Sequence, residues 1–227
     1  MEKVLIFDTE TTGLIPKNIY FDNLDEDTLS SCPYIIQLGF IGYDIEENKL
    51  LNYSNKYVLL DLNVEIPIES INIHKITKEI ISKNKPLDIE VIIEDFMSIL
   101  NKSDKLIGHN ISFDINMLKI EIMRLFYKTK NTKWINYFDI LKDKNVYCTM
   151  KNTINICNIK IIRYGKEYNK YPKLIELYRF LFNKNLYNLH DALNDCFCCL
   201  RCYIKIVYDY DVTKKNKSIK EIFKLLN

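Results

Sequence analysis

The sequence KVLIFDTETTGL occupies residues 3–14 and decides the fold. It begins with a short apolar run from Lys3 to Phe7, which predicts a buried strand. Asp8 and Glu10 follow at the end of this run, and residues two apart on a strand point to the same face. Two carboxylates held this close repel each other unless a cation lies between them. A divalent ion such as Mg²⁺ fits because it prefers carboxylate oxygens.

The next part of the chain predicts two more strands. Residues 15–33 are polar and predict a surface loop. The run YIIQLGFIGY at 34–43 predicts a second strand, and the alternating residues 50–60 predict a third after a turn at 46–49. Short connections join such strands in antiparallel order, so a meander of three strands is expected.

Helical patterns dominate the rest of the chain, which implies an α/β arrangement with a mixed sheet flanked by helices.

Residues 127–171 carry no pattern clear enough to assign. We expect a domain at residues 1–208 and a charged tail at 209–227 that can form one more short helix. The other expected elements are a short helix at 70–77 around His74, a helix at 88–100 capped by Asp88, a strand at 105–108, and helices at 113–126, 172–182 and 190–208.

Composition describes a globular chain rather than a disordered one. Of the 227 residues, 48% are hydrophobic and 27% are charged. The net charge of +2 does not by itself predict a nucleic-acid partner. The 7 cysteines show no spacing typical of a secreted disulfide framework, and the sequence shows neither a signal peptide nor a membrane-spanning run. We therefore expect a soluble protein in a reducing compartment, cytosolic or nuclear.

Two other segments carry candidate site residues. Asp114 lies near the start of a predicted helix that follows a strand, and His190 and Asp195 share the predicted helix at 190–208. Each has an ordinary explanation when taken alone, such as a turn cap, a first-turn acid that the helix dipole favours, or an N-cap. Their joint occurrence with Asp8 and Glu10 favours a common site.

Three motifs resemble those of the DEDDh exonuclease family, which includes the proofreading epsilon subunit of bacterial DNA polymerase III, RNase T and oligoribonuclease. The motifs are FDTETTGL at 7–14, GHNISFDINML at 108–118 and HDALNDC at 190–196. Two further segments are similar to family patterns: INIHKIT at 71–77, with Lys75 where Gly is usual, and YPKLIELYRFLF at 171–182. The resemblance implies an RNase H-like fold and a 3′→5′ exonuclease that uses two divalent metal ions, Mg²⁺ or Mn²⁺.

The resemblance also implies roles for individual residues. Asp8 would bridge both metals, and Glu10 and Asp195 would complete the ligand set. Asp114 would act largely through water, and His190 would be the general base that deprotonates the attacking water. The residues expected to bind the terminal nucleotide are Thr11, Thr12, Gly13 and Leu14, with His74 and Phe113 lining the same pocket.

Single-stranded DNA is the first expectation for the substrate, cleaved from its 3′ end into nucleoside 5′-monophosphates. The helix at 171–182, similar to that of epsilon-like exonucleases, favours DNA over RNA. One alternative is an exoribonuclease of the same fold, and another is a non-catalytic nucleic-acid-binding or polymerase-associated module. A DNA polymerase partner, the oligomeric state and the pathway (proofreading, repair or RNA maturation) stay open.

The remaining features have structural interpretations. The cysteines in the predicted last helix are expected to be buried small apolar groups, because one helix cannot place four thiolates around one zinc ion. They are Cys196, Cys198, Cys199 and Cys202. The lysine-rich stretch at 214–220 is expected to be a solvated end that can add phosphate contacts.

Overall fold

The computed structural model describes residues 2–21, 24–185 and 190–226. Five strands form one sheet in the order β3-β2-β1-β4-β5, and two more form a separate hairpin. The strands are β1 (Lys3–Thr11), β2 (Ile35–Asp44), β3 (Lys49–Tyr57), β4 (Lys105–Gly108), β5 (Val146–Cys148), β6 (Lys160–Arg163) and β7 (Lys166–Asn169).

Helices flank the sheet, so the predicted fold class, a mixed RNase H-like sheet, is confirmed. The pairs β1–β2 and β2–β3 are antiparallel, as the meander predicted, while β4 and β5 add in parallel. The helices are α1 (Glu26–Ser30), α2 (Ile68–His74), α3 (Lys78–Lys83), α4 (Ile89–Leu100), α5 (Ile111–Thr129), α6 (Lys133–Asp143), α7 (Thr149–Asn152), α8 (Ile154–Cys157), α9 (Leu174–Phe182), α10 (Ala192–Tyr208), α11 (Val212–Lys215) and α12 (Lys217–Leu226).

Alternation along β1 divides the core into two apolar clusters. Leu5 and Phe7 face the first cluster, which α4, α5 and α6 cover. Val4 and Ile6 face the second cluster, which α9, α10 and α12 cover. Burial of both faces explains why the beginning of β1 is an unbroken apolar run. No helix in the described ranges combines the length and the apolar character needed to cross a bilayer.

Several predicted boundaries change. β1 continues past Phe7 to Thr11 because its pairing with β2 persists, with Glu10 opposite Gln37. The polar segment 15–33 contains the short helix α1, whose start the Asp25 side chain caps; residues 22 and 23 lie outside the described ranges. The predicted helix around His74 begins and ends earlier, at 68–74. Asp88 does precede α4, but its side chain makes no capping hydrogen bond.

The C-terminal tail is helical and only partly solvated. Ile219 and Phe223 of α12 are buried in the second apolar cluster, together with Val212 of α11. The expectation of a solvated end is therefore wrong for this face of α12, because every third or fourth residue of the helix is apolar. The lysines of the same segment remain exposed. The domain boundary after residue 208 stays a prediction.

Candidate active site

The acidic residues of β1 lie on the face that α10 covers. Asp8 and Glu10 have the same parity along the strand as Val4 and Ile6, so they point toward the second cluster. Thr9 points the other way, toward α5. Because β1 extends to Thr11, both carboxyls are held by regular backbone rather than by a loop.

Asp114 of α5 reaches β1 directly. Its Oδ1 atom accepts hydrogen bonds from the Thr9 backbone N–H at 3.1 Å and from the Thr9 hydroxyl at 2.7 Å. Its side chain is buried beside the two carboxyls of the strand. The predicted convergence of the first two motifs is therefore present in the structure.

The third motif lies at the start of α10, and this helix begins later than predicted. His190 is not helical: its φ is 72°, and α10 starts two residues later with Asp191 as its N-cap. The prediction that His190 lies in the same helix as Asp195 is wrong. Asp195 lies in the first turn of α10, and its Oδ2 atom accepts a hydrogen bond from the His190 backbone N–H at 3.4 Å. The His190 imidazole lies next to this carboxyl.

Glu10, His190 and Asp195 form a group suited to a metal ion. One potential ligand atom from each lies within 4.8 Å of the others. The Asp195 Oδ1 atom is buried and has no hydrogen-bond partner within the described ranges. A buried carboxylate oxygen without a donor is costly unless a cation meets it.

Burial, and after it the crowding of negative charge, raises the pKa values of the carboxyls in this cluster. Burial, followed by the charge of Asp114, raises the pKa of Asp8 well above its ordinary value. Burial also raises the pKa of Glu10 to about 8, with Asp195 as the largest neighbouring charge. Burial raises the pKa values of Asp114 and Asp195 to about 7 each. Without a cation, these carboxyls resist full ionisation at neutral pH.

The pKa of His190 shifts in the opposite direction, to a lower value. Burial lowers the pKa of His190, and the positive charges of Lys173 and Lys75 lower it further. Lys75 ends α2 in the left-handed conformation, with φ 63°. That conformation explains why glycine is usual here in the related motif, and lysine is accommodated because its side chain points to solvent.

The predicted nucleotide-binding turn follows β1 and is firmly held. The Thr12 backbone N–H donates to the Tyr34 carbonyl at 2.9 Å, and the Thr12 hydroxyl accepts from the Tyr34 N–H at 2.9 Å. The Thr11 hydroxyl donates to the Gly13 carbonyl at 2.7 Å. Leu14 is 85% exposed, so an apolar side chain projects from a fixed turn.

His74 and Phe113 are placed differently from each other. His74 is buried at the end of α2, and this burial lowers its pKa. A hydrogen bond with the Thr11 backbone raises the pKa, whereas the charge of nearby His190 lowers it further. His74 therefore lies beside the predicted turn. Phe113 packs against the first apolar cluster, and within the described ranges no hydrogen bond or ring contact joins it to His74.

Sequence reasoning missed the residues that hold the start of α10. The Asp191 carboxylate accepts hydrogen bonds from the side-chain amides of Gln37 at 2.8 Å and Asn55 at 3.0 Å. The Gln37 Oε1 atom in turn accepts from the Ala192 backbone N–H at 3.1 Å. Gln37 was the available signal, since it is a polar residue within the otherwise apolar run YIIQLGFIGY.

Residues 5–203 match the exonuclease family RNase T. The chain belongs to this exonuclease family. The resemblance that the three motifs carry is confirmed, and the chain is a 3′→5′ exonuclease. Enzymes of this DEDDh group use divalent metals, in agreement with the acidic cluster.

Individual proteins show the same relationship. The DNA polymerase III subunit epsilon of Buchnera aphidicola is 24% identical over 229 residues, which cover 99% of this chain and 82% of that protein. Exonuclease X, solved in complex with 5′ overhanging duplex DNA, has 20% identity and a TM-score of 0.51, covering 92% of this chain and 95% of that one. The nuclease domain of 3′hExo, a DEDDh family member bound to rAMP, has 14% identity and a TM-score of 0.58, covering 93% and 94%.

The four cysteines of α10 are buried in the second cluster, as expected. The Cys196 thiol donates to the Gly39 carbonyl at 3.3 Å, and burial raises the pKa of each thiol. Their burial among apolar side chains agrees with a packing role.

Proposed function

We propose that this exonuclease removes nucleoside 5′-monophosphates from the 3′ end of single-stranded DNA with the help of two divalent metal ions. The observation that carries the proposal is the meeting of carboxyls from β1, α5 and α10, whose pKa values are raised together. Such a cluster is unfavourable in an apo protein and becomes favourable when cations bind.

The donor set fits hard cations such as Mg²⁺ or Mn²⁺. Asp8, Glu10, Asp114 and Asp195 would hold the ions, and the unpartnered Asp195 Oδ1 atom supports this assignment. When bound, two such ions stabilise both the attacking and the leaving oxygen of an in-line displacement at phosphorus. The Thr9 hydrogen bonds orient Asp114, so its second oxygen is free to act through water.

His190 would accept the proton of the attacking water. Its side chain is exposed to solvent, and its imidazole lies close to Glu10 and Asp195. Because its pKa is lowered, the ring is neutral at neutral pH and can take up a proton. General-base assistance of this kind is typically worth about 10²–10⁴-fold in rate.

The turn after β1 would bind the terminal nucleotide. Its backbone is fixed by Tyr34 and, through the Ser70 hydroxyl that donates to the Thr12 carbonyl at 3.0 Å, by α2. The projecting Leu14 would contact the last base, and Gly13 lets the backbone approach closely. A 3′-OH bound beside Glu10 would limit the enzyme to strand ends.

DNA is preferred over RNA because the relative aligned over nearly the whole chain is a DNA polymerase subunit, and because Exonuclease X was solved with DNA. Because that relative is a polymerase subunit, association with a DNA polymerase is a second candidate role. RNA is the principal alternative, since the 3′hExo domain was solved with rAMP. The complete acidic set argues against a non-catalytic module.

End-labelled DNA and RNA strands of matched sequence test the proposal. With Mg²⁺ or Mn²⁺ we expect stepwise shortening of DNA from the 3′ end, faster than that of RNA, and none with chelator. The Asp114→Asn variant keeps side-chain volume and serves as the inactive control. Equal or faster RNA cleavage would refute the DNA preference, and binding without product would favour the non-catalytic role.

A further inference from the structure

The hairpin β6–β7 projects from the exonuclease fold between α8 and α9. Its turn consists of Tyr164 and Gly165, with φ values of 52° and 73°, which is the left-handed pair that a tight two-residue hairpin requires. The hairpin forms a sheet of its own, separate from the five-stranded one. The residues of the hairpin belong neither to the acidic site nor to the apolar clusters described above.

The two faces of this hairpin differ in charge. On one face, cross-strand pairing places Ile161 opposite Tyr168 and Arg163 opposite Lys166. On the other face, Lys160 forms an ion pair with Glu167 at 3.2 Å. We call the face with Ile161, Arg163, Lys166 and Tyr168 the cationic face. Its two cations have no acidic partner within the described part of the chain, whereas Lys160 has one.

Two like charges directly opposite each other destabilise a strand pair. Arg163 and Lys166 are exposed, so water reduces this repulsion but does not remove it. An anionic ligand that bound both side chains would convert the repulsion into attraction. The arrangement is therefore complementary to phosphate groups.

Aromatic surface accompanies these cations. A groove of about 380 Å³ lies along the hairpin, and Tyr168 and Tyr171 are 47% and 54% exposed there. Tyr164 at the turn is fully exposed. Aromatic rings beside unpaired cations form the usual surface for single-stranded nucleic acid, because bases stack on the rings while phosphates meet the charges.

The base of the hairpin is attached to the candidate active site. The Lys170 ammonium pairs with Glu176 of α9 at 2.6 Å, which fixes the second strand to this helix. Two residues later, the Pro172 carbonyl accepts a hydrogen bond at 3.0 Å from Nε2 of His109, the residue directly after β4. Lys173 is close enough to His190 for its charge to act on it. The residues that directly follow the hairpin therefore connect it to the candidate active site.

We propose that the cationic face of the hairpin binds the single-stranded DNA upstream of the scissile nucleotide. This inference rests on the proposed function for the direction of the strand, but not for the binding itself. The terminal nucleotide would occupy the turn after β1, and the hairpin would hold phosphates and bases on the 5′ side.

The test compares three single-charge variants and one aromatic variant. Arg163→Gln and Lys166→Gln each remove a charge from the cationic face, and Tyr168→Ala removes a ring. Lys160→Gln is the matched control, since it removes one positive charge from the opposite face of the same hairpin. Thermal melting checks folding, and relief of the Arg163–Lys166 repulsion should leave the melting temperature unchanged or higher.

Binding of a fluorescent oligothymidylate is measured by anisotropy in chelator, and hydrolysis is measured on a dinucleotide and on a long strand. We expect each variant on the cationic face to weaken binding of the long strand about tenfold. The salt slope should decrease by about 0.7 for each cation removed. KM for the long strand should rise while kcat and the dinucleotide KM stay unchanged. Lys160→Gln should resemble wild type.

Two results would overturn the inference. One is unchanged affinity and salt slope in the variants of the cationic face, and the other is an equal loss in Lys160→Gln. If the wild-type chain binds through the hairpin but hydrolyses neither DNA nor RNA, only the proposed function fails. If it hydrolyses DNA and the hairpin variants are unaffected, only the hairpin inference fails.

Discussion

Gly39 of β2 lies directly against Ala192 at the start of α10: a Cβ atom on Gly39 would be 2.5 Å from the Ala192 carbonyl carbon. Gly39 is also the residue that pairs with Asp8 across the β1–β2 ladder. Glycine at this position therefore lets α10 approach the sheet closely enough for Asp195 to join the carboxyls of β1. The spacing of the acidic site depends on this contact between backbones.

Gly39→Ala should consequently separate α10 from β1. We expect activity to fall by at least about 100-fold, because small displacements of catalytic groups have effects of this size. Steady-state kinetics on a DNA strand, with circular dichroism to monitor folding, provide the measurement. Gly42→Ala in the same strand is the control, since the three atoms nearest to the added Cβ belong to the Asn52 side chain, which can move at the expense of its hydrogen bond to the Gly42 N–H. Similar losses in both variants would contradict the role of the close approach.

Gln37 is the second support of α10. The buried amide bonds both the Asp191 carboxylate and the Ala192 N–H, so Gln37→Met leaves the Ala192 N–H without its partner and removes one donor from Asp191, which keeps Asn55 and Asn194. An unpaired group costs about 1–3 kcal/mol. We expect a matching loss in chemical denaturation and a higher metal concentration for half-maximal activity. Asn55→Ala should have a smaller effect, because Asp191 keeps its bonds to Gln37 and to the Asn194 N–H.

Variants of His190 and Asp8 should distinguish a loss of catalysis from a loss of metal binding. His190→Ala is expected to lose about 10²–10⁴-fold in kcat, the usual contribution of a general base, while calorimetry still detects Mn²⁺ binding. Asp8→Ala should lose both activity and metal affinity. Normal Mn²⁺ binding by Asp8→Ala would refute its assignment as a ligand, and loss of Mn²⁺ binding by His190→Ala would instead make the histidine a ligand.

The stability of the metal-free protein should depend on pH through the acidic cluster. Carboxyls with raised pKa values bind protons more tightly in the folded than in the unfolded chain. Their contribution is fully present below about pH 4 and is lost as the pH rises through about 7 for Asp114 and Asp195 and about 8 for Glu10. The melting temperature in chelator should therefore decrease across this window.

Asp195→Asn removes one charge from the cluster at pH 8, above the pKa of about 7 of this carboxyl, so its melting temperature in chelator at pH 8 should exceed that of wild type. The expected gain is about 2–4 °C for each kcal/mol of repulsion relieved. Mg²⁺ should stabilise wild type at pH 8 more than it stabilises the variant. A pH profile in chelator that is parallel for both proteins would show that the cluster carries no such repulsion.

Local patterns were sufficient for most elements of the fold. The strand at 105–108 and the end of the helix at 88–100 were predicted at the observed residues, because apolar periodicity and flanking polar residues are properties of a short stretch. The segment 127–171 could not be assigned because its elements, apart from α6, are short, polar and partly exposed. α7, α8 and the hairpin strands have four residues each.

The sequence by itself determined the fold class, the family and the identity of the acidic residues, since these depend on local periodicity and on motifs that neighbouring residues spell out. Only the tertiary structure decided that His190 stands outside α10, that Gln37 and Asn55 hold Asp191, and that the tail packs into the core. Asp114 meets Thr9 across 105 positions of sequence, and Gln37 meets Asp191 across 154. Contacts over such separations arise from packing of the whole chain, which no local pattern encodes.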